Sequence, residues 1–234
     1  MKKYDDILAR YTRMRAVCVE LNNALLKFDT SSVMQAAKDL RVWHKGNIIV
    51  MEDAMPVLWD HAIHHRFKGG RNLVDHYVAK HPPAAGSEAA TALAAMERTF
   101  FSLFHVDRLV KFVGVHVTDV LRDRKHFLAD VNFSTSVRKG MVLATRVIPF
   151  DGFIMTTGAA QSVSGEVLMW IAENLERDGL SPDVLREFPP LGWAQLETSI
   201  IPACLHSDYA EYRIMRSNCV LCNDNRGSQI SNSA

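Results

Sequence analysis

The sequence predicts an α+β protein: a helical N-terminal half, then a small antiparallel β-sheet or barrel with C-terminal helices. Three observations carry this. Apolar residues recur at three- and four-residue steps from Tyr4 to Phe28. After about residue 106, short segments with β-branched and aromatic residues at alternating sites replace that pattern. Between the two patterns lies "HPPAAGS" (81–87), where two prolines and small residues forbid regular structure.

The first element is a helix of about seven turns, with Tyr4, Ile7, Tyr11, Met14, Cys18, Leu21, Leu25 and Phe28 on one side. Such a stripe serves either a coiled-coil homodimer through residues 4–28 or the chain's own core. Leu8, Val17 and Leu26 widen it beyond a coiled-coil seam, which favours the core. "DTSS" supplies caps for a second helix from about Ser32 to His44. "GNIIVM" reads as an isolated strand. Glu52 and Asp53 open a third helix with Pro56 in its first turn. Arg71 to Lys80 make a fourth helix after Gly69-Gly70, and Ser87 to about Phe104 a fifth.

The β segments are "RLVKFVGVHVTDV", "HFLADVNF", "GMVLATRVIPF" and "DGFIMTTGAA", parted by turn-forming stretches. Ser164 to Arg177 is helical again, and Ser181 caps a further turn ahead of "FPPLGW". The organisation expected is a helical region with one short strand over 1–106, then a β-sheet or barrel with trailing helices over 107–222. The polar tail at 223–234 is too weakly apolar to fold.

Composition excludes several classes. Apolar residues make up 48% and charged residues 23% of 234, the balance of a globular chain. No apolar run reaches the ~18 residues of a membrane-spanning helix, and Asp5, Asp6, Arg10, Arg13 and Arg15 break up any secretory signal. Four cysteines, two of them isolated, make no disulfide framework, so a reducing, cytoplasmic setting is expected. The net charge of +1 is unevenly spread. Residues 1–81 hold 13 Lys/Arg against 9 Asp/Glu, residues 98–147 hold 9 against 4, and residues 148–234 hold 5 against 11. Such asymmetry can steer an anionic partner to one face or equally reflect two parts of the chain attracting each other; a protein or nucleic-acid partner is the leading expectation.

The stretch "DVLRDRKHFLADVNFSTSVRKGMVLATRVIPFDGFIMTTGAA" resembles uncharacterised bacterial proteins, some of which carry a SEC-C zinc motif; the motif itself is absent here. The resemblance covers about 45 residues and implies a fold and a bacterial origin more than an activity.

Three groups could carry chemistry. In "RNLVDH", Arg71 and His76 lie five apart, about 140° round a helix, and Asn72 follows the Arg. This Arg-x4-His is similar to that of HEPN-type ribonucleases. The resemblance implies a general acid or base in His76, transition-state stabilisation by Arg71, and a metal-independent site completed by a second copy. In "WDHAIHHRF", His61 and His65 stand one helical turn apart, the spacing of two metal ligands, with further ligands to come from elsewhere. The plainer reading is a His-rich basic helix end. In the C-terminal region, Cys219 and Cys222 form Cys-x2-Cys, with Cys204 and His206 upstream. These four could close a zinc site of an interaction module; otherwise Cys219 and Cys222 could act as a redox pair, or the cysteines stay inert thiols.

Overall fold

The structure, a computed structural model, describes residues 2–48, 54–65 and 70–205. Helix α1 spans Lys2–Phe28 and meets the periodicity expected of it. Ile7, Tyr11, Cys18 and Leu25 are buried against Leu73, Val74, Leu93 and Met96 of the same chain and against the barrel residues Ile148, Phe153 and Met155. The stripe therefore serves the chain's own core, and contact with a second copy through 4–28 would have to use the opposite side, where Val19 is exposed.

Helix α2 (Ser31–Asp39) stops short of the expected His44. Arg41 takes a positive φ, and a tight hairpin follows, β1 (Trp43–His44) against β2 (Asn47–Ile48). Lys45 and Gly46 both have positive φ, the requirement of a two-residue type I′ turn. The isolated strand expected from "GNIIVM" is thus one arm of a hairpin as far as Ile48, and the rest of that stretch lies outside the described residues. Helix α3 (Met55–His64) carries Pro56 in its first turn, where no hydrogen bond is lost.

Helix α4 is Leu73–Lys80, two residues shorter than expected at its start, because Asn72 caps it. The Asn72 side chain accepts from the Asp75 backbone N–H while the Asp75 carboxylate accepts from that of Asn72, a reciprocal capping box. Helix α5 (Glu88–Met96) begins at its Ser87 cap but ends well before Phe104. The residues that were expected to continue it, from Phe100, begin a strand.

Five strands form a closed barrel: β3 (Phe100–Val110), β4 (Gly114–Asp119), β5 (Arg124–Ala129), β6 (Val142–Phe150) and β7 (Phe153–Ser162), in the order β3-β4-β5-β7-β6. The segment "RLVKFVGVHVTDV", expected as one strand, holds the β3–β4 hairpin, with the exposed Phe112 at positive φ in its turn. Gly114 is required there, since a Cβ would stand 2.1 Å from the Leu128 carbonyl oxygen. The pairs are antiparallel except β5 with β7, which meet in parallel at Leu128 and Ile154. A short helix α6 (Phe133–Ser136) links β5 to β6. This order, with a helix between the third and fourth strands, is the connectivity of an OB-type Greek-key barrel.

Alternation sorts the barrel side chains. Phe104, Val106, Val115, Val117, Leu128 and Val147 fill the interior. Phe101 and Leu103 of β3 and Ala144 of β6 point outward, into the core shared with α2, α3 and the last helices. Those are α7 (Gly165–Arg177, capped by Ser164), α8 (Pro182–Arg186, capped by Ser181) and α9 (Pro190–Leu205). The "FPPLGW" break is the entrance to α9, with Pro190 as its first residue.

Candidate functional site

Register places a two-by-three grid of side chains on the outer face of β3, β4 and β5. One row is His105, Thr118 and Lys125; the other is Arg108, His116 and Phe127. A bulge between Val106 and Arg108 keeps Arg108 on this face and inserts Asp107. Asp107 accepts from the Thr118 hydroxyl (2.8 Å) and stands 2.8 Å from Nδ1 of His105. In the second row, Arg108 Nη2 lies 2.7 Å and Tyr4 Oη 3.2 Å from His116 Nε2. The His116 and Phe127 rings are 5.0 Å apart, and the Phe127 and Tyr4 rings 5.2 Å. Arg108 and Lys125 are exposed on this face and Lys111 in the β3–β4 turn beside it, while Arg124, exposed at the start of β5, has the opposite parity to Lys125. The face thus combines half-buried rings with exposed cations.

On the other side of the barrel a charged group is buried. Arg146 projects outward from β6 between α3 and α9. Its Nε donates to Asp60 (3.1 Å), and its two terminal nitrogens donate to the Glu197 oxygens at 3.3 and 2.7 Å. All three residues are under 8% exposed. Burial opposes the charge of the Glu197 carboxyl, but Arg146, together with His65, overrides burial and brings it down to about 2. Burial also opposes the Arg146 charge, yet Glu197 and Asp60 hold that proton more firmly than water would. His65 Nδ1 lies 3.4 Å from Glu197, and the His61 and His65 rings stack at 4.1 Å. Burial pushes both His61 and His64 down to about 4, so both are neutral at pH 7.

A cavity of about 240 Å³ opens beside this group, lined among others by His64, Asn72, Thr99, Arg122, Trp193 and Glu197. Arg122 is stacked between the Trp193 and Phe100 rings, at 3.6 and 4.7 Å, and donates to Asp119. Both guanidiniums are therefore already matched by carboxylates. Such a cavity suits small uncharged polar groups better than an anion.

The sequence-predicted residues separate. Arg71 stands before the α4 cap, not on the helix, so a helical angle between it and His76 does not apply. Both are exposed and line one groove of about 400 Å³ with Asp29 and Lys38. The Ser31 hydroxyl is the largest of several influences that hold the Asp29 carboxyl below its usual range; the His76 charge is a smaller one. Asn72 is buried and committed to its capping box, a structural duty. Cys204 lies buried in α9, where burial pushes its thiol up to about 12; His206, Cys219 and Cys222 lie outside the described residues. Sequence reasoning missed Arg146, Glu197 and Asp60. The available signal was a lone acid in the apolar run "LETSII" of α9.

The molecule is thus an α+β protein in which helices pack on the outside of an OB-type barrel that has its own filled interior. It belongs to a family of unknown function (DUF7986), whose match covers residues 5–174, from α1 to α7. No curated protein and no solved structure matches it. Among the described residues, no helix is long and apolar enough to cross a membrane.

Proposed function

We propose that this chain is a non-enzymatic binding module that holds single-stranded nucleic acid across the outer face of β4 and β5. The observation that carries the reading is the coincidence of an OB-type strand order with cations and rings on that face. OB barrels bind oligonucleotides on their second and third strands, here β4 and β5. Bases stack on aromatic rings whatever their sequence, the office Phe127, His116 and Tyr4 could fill. Phosphates would follow Arg108 and Lys125, with Lys111 at the β3–β4 turn.

Fluorescence anisotropy with a labelled oligothymidylate of about twelve nucleotides tests this. Affinity should fall linearly with salt on logarithmic axes, because each neutralised phosphate releases counterions. The exposed pair Arg108→Glu/Lys125→Glu should weaken binding by at least ~10-fold and flatten the slope by about 1.4, at ~0.7 per phosphate contact. Binding undetectable at 20 mM salt, or indifferent to the double substitution, would leave a protein partner as the ligand.

A second reading, a HEPN-like metal-independent ribonuclease, is favoured by one observation: Arg71 and His76 line the same groove. On that reading His76→Ala lowers RNA cleavage by ~10²-fold or more with folding intact, and Arg71→Lys does not rescue Arg71→Ala. Cleavage that survives His76→Ala, or that is absent from the unmodified protein, ends it.

A further inference from the structure

We propose that Asp39, His61 and His65 form a binding site for a divalent transition-metal ion of the zinc class. One ligand atom from each lies within 4.8 Å of the others. His61 and His65 sit one turn apart at the end of α3, the spacing of two ligating imidazoles; their rings stack at 4.1 Å and 18° from parallel, so holding one ion requires them to turn until their in-plane lone pairs converge. Asp39 is the last residue of α2 and brings a carboxylate oxygen to 3.9 Å from Nε2 of His61. The spacing "HAIHH" supplies two ligands, and the α2–α3 packing supplies the third, a residue 22 positions earlier than His61.

The surroundings suit a dication. Three carboxylates, Asp39, Asp60 and Glu197, stand near the imidazoles against one guanidinium, Arg146. Glu197, 3.4 Å from Nδ1 of His65, is placed to orient that ring, as carboxylates commonly orient ligating imidazoles. Two imidazoles and a carboxylate suit zinc, cobalt or iron(II) better than magnesium or calcium, which prefer oxygen throughout. Three protein ligands leave a coordination position for water or substrate. Asp39, the least buried of the three, gives the ion its way in.

The test uses the full chain, stripped with a chelator and titrated with Zn²⁺ and with Co²⁺. Calorimetry should give one ion per chain, Zn²⁺ should raise Tm, and bound Co²⁺ should show visible bands without the near-ultraviolet thiolate transition. Asp39→Asn lies at a helix end and should keep the fold, measured by circular dichroism, while weakening Zn²⁺ by at least ~10-fold. His61→Gln should do the same, and if it does not fold, Asp39→Asn alone decides. No saturable binding below ~0.1 mM would overturn the proposal. So would zinc affinity untouched by Asp39→Asn but abolished by Cys204→Ser or Cys219→Ser, because the ion would then sit with the cysteines. Neither outcome bears on nucleic-acid binding at β4 and β5, which is read separately by anisotropy.

Discussion

Arg146→Met should destabilise the protein by about 3–5 kcal/mol, the loss expected when one partner of a buried ion pair is removed. The substitution keeps roughly the length of the side chain, so little volume is lost. What it leaves is electrostatic: Asp60 and Glu197, 7% and 6% exposed, would face each other's neighbourhood without the guanidinium that both accept from. Arg146→Lys should recover only part of the loss. An ammonium cannot donate a parallel pair to Glu197 and a third bond to Asp60. Replacing all three at once with apolar residues of similar volume should recover most of it, since the penalty lies in the unpaired charges and not in the missing pair. Urea denaturation of the four proteins reads all of this. A loss below ~1 kcal/mol for Arg146→Met would mean that water reaches the carboxylates, and that the group is not buried as described.

The same residue shows where sequence reading reached and where it stopped. The basic excess of residues 98–147 counted Arg122 and Arg146, yet both are spent on Asp119, Asp60 and Glu197. Charge counts cannot tell a surface cation from a buried one, because the partners lie far away in the chain. What remains for a partner is Arg108 and Lys125 on one face, with Arg98, Lys111, Arg124, Arg138 and Lys139 also exposed.

Periodicity was legible where the element is long and one-sided: α1 follows from its apolar steps alone. It failed where the competing signals are short. No glycine or proline separates Met96 from Phe100, so the helix pattern ran on into β3; pairing with both β4 and β6 decides that segment, and those partners are remote in sequence. Asn72 was read beside Arg71 as part of a catalytic dipeptide, when its spacing to Asp75 already spelled a capping box. The His61 and His65 spacing was legible. Asp39 was not, because only the packing of α2 on α3 brings it there.

Metal-free protein should lose stability steeply as the pH falls from about 6.5. His61 and His64 carry the effect. Burial is the main cause holding both near 4. His61 is faced by Asp39, which works against that shift, and by His65, Glu197 and Arg146. His64 is faced by Asp60, Arg146 and Glu197. In the unfolded chain each imidazole titrates near its ordinary value of about 6.5. Between pH 6.5 and 4 the unfolded state therefore binds up to two protons that the folded state refuses. Stability then drops by up to about 3 kcal/mol per pH unit at the steepest part of that window. The contribution is whole above pH 6.5 and gone below 4. Glu197 extends the loss: held near 2 when folded and near its ordinary value when unfolded, it contributes stability that is present above about 4.5 and disappears toward 2. A domain with an ordinary reserve of roughly 5–15 kcal/mol would then unfold in mild acid, ahead of the pH at which most carboxylates titrate. Urea melts at pH 7.5, 6.0 and 5.0 in a chelator measure the slope. His64→Leu removes one of the two imidazoles and should about halve it. A stability that stays level from pH 7.5 to 5.0 would show that both rings already carry their protons in the folded protein or reach solvent there, against the burial from which the effect derives.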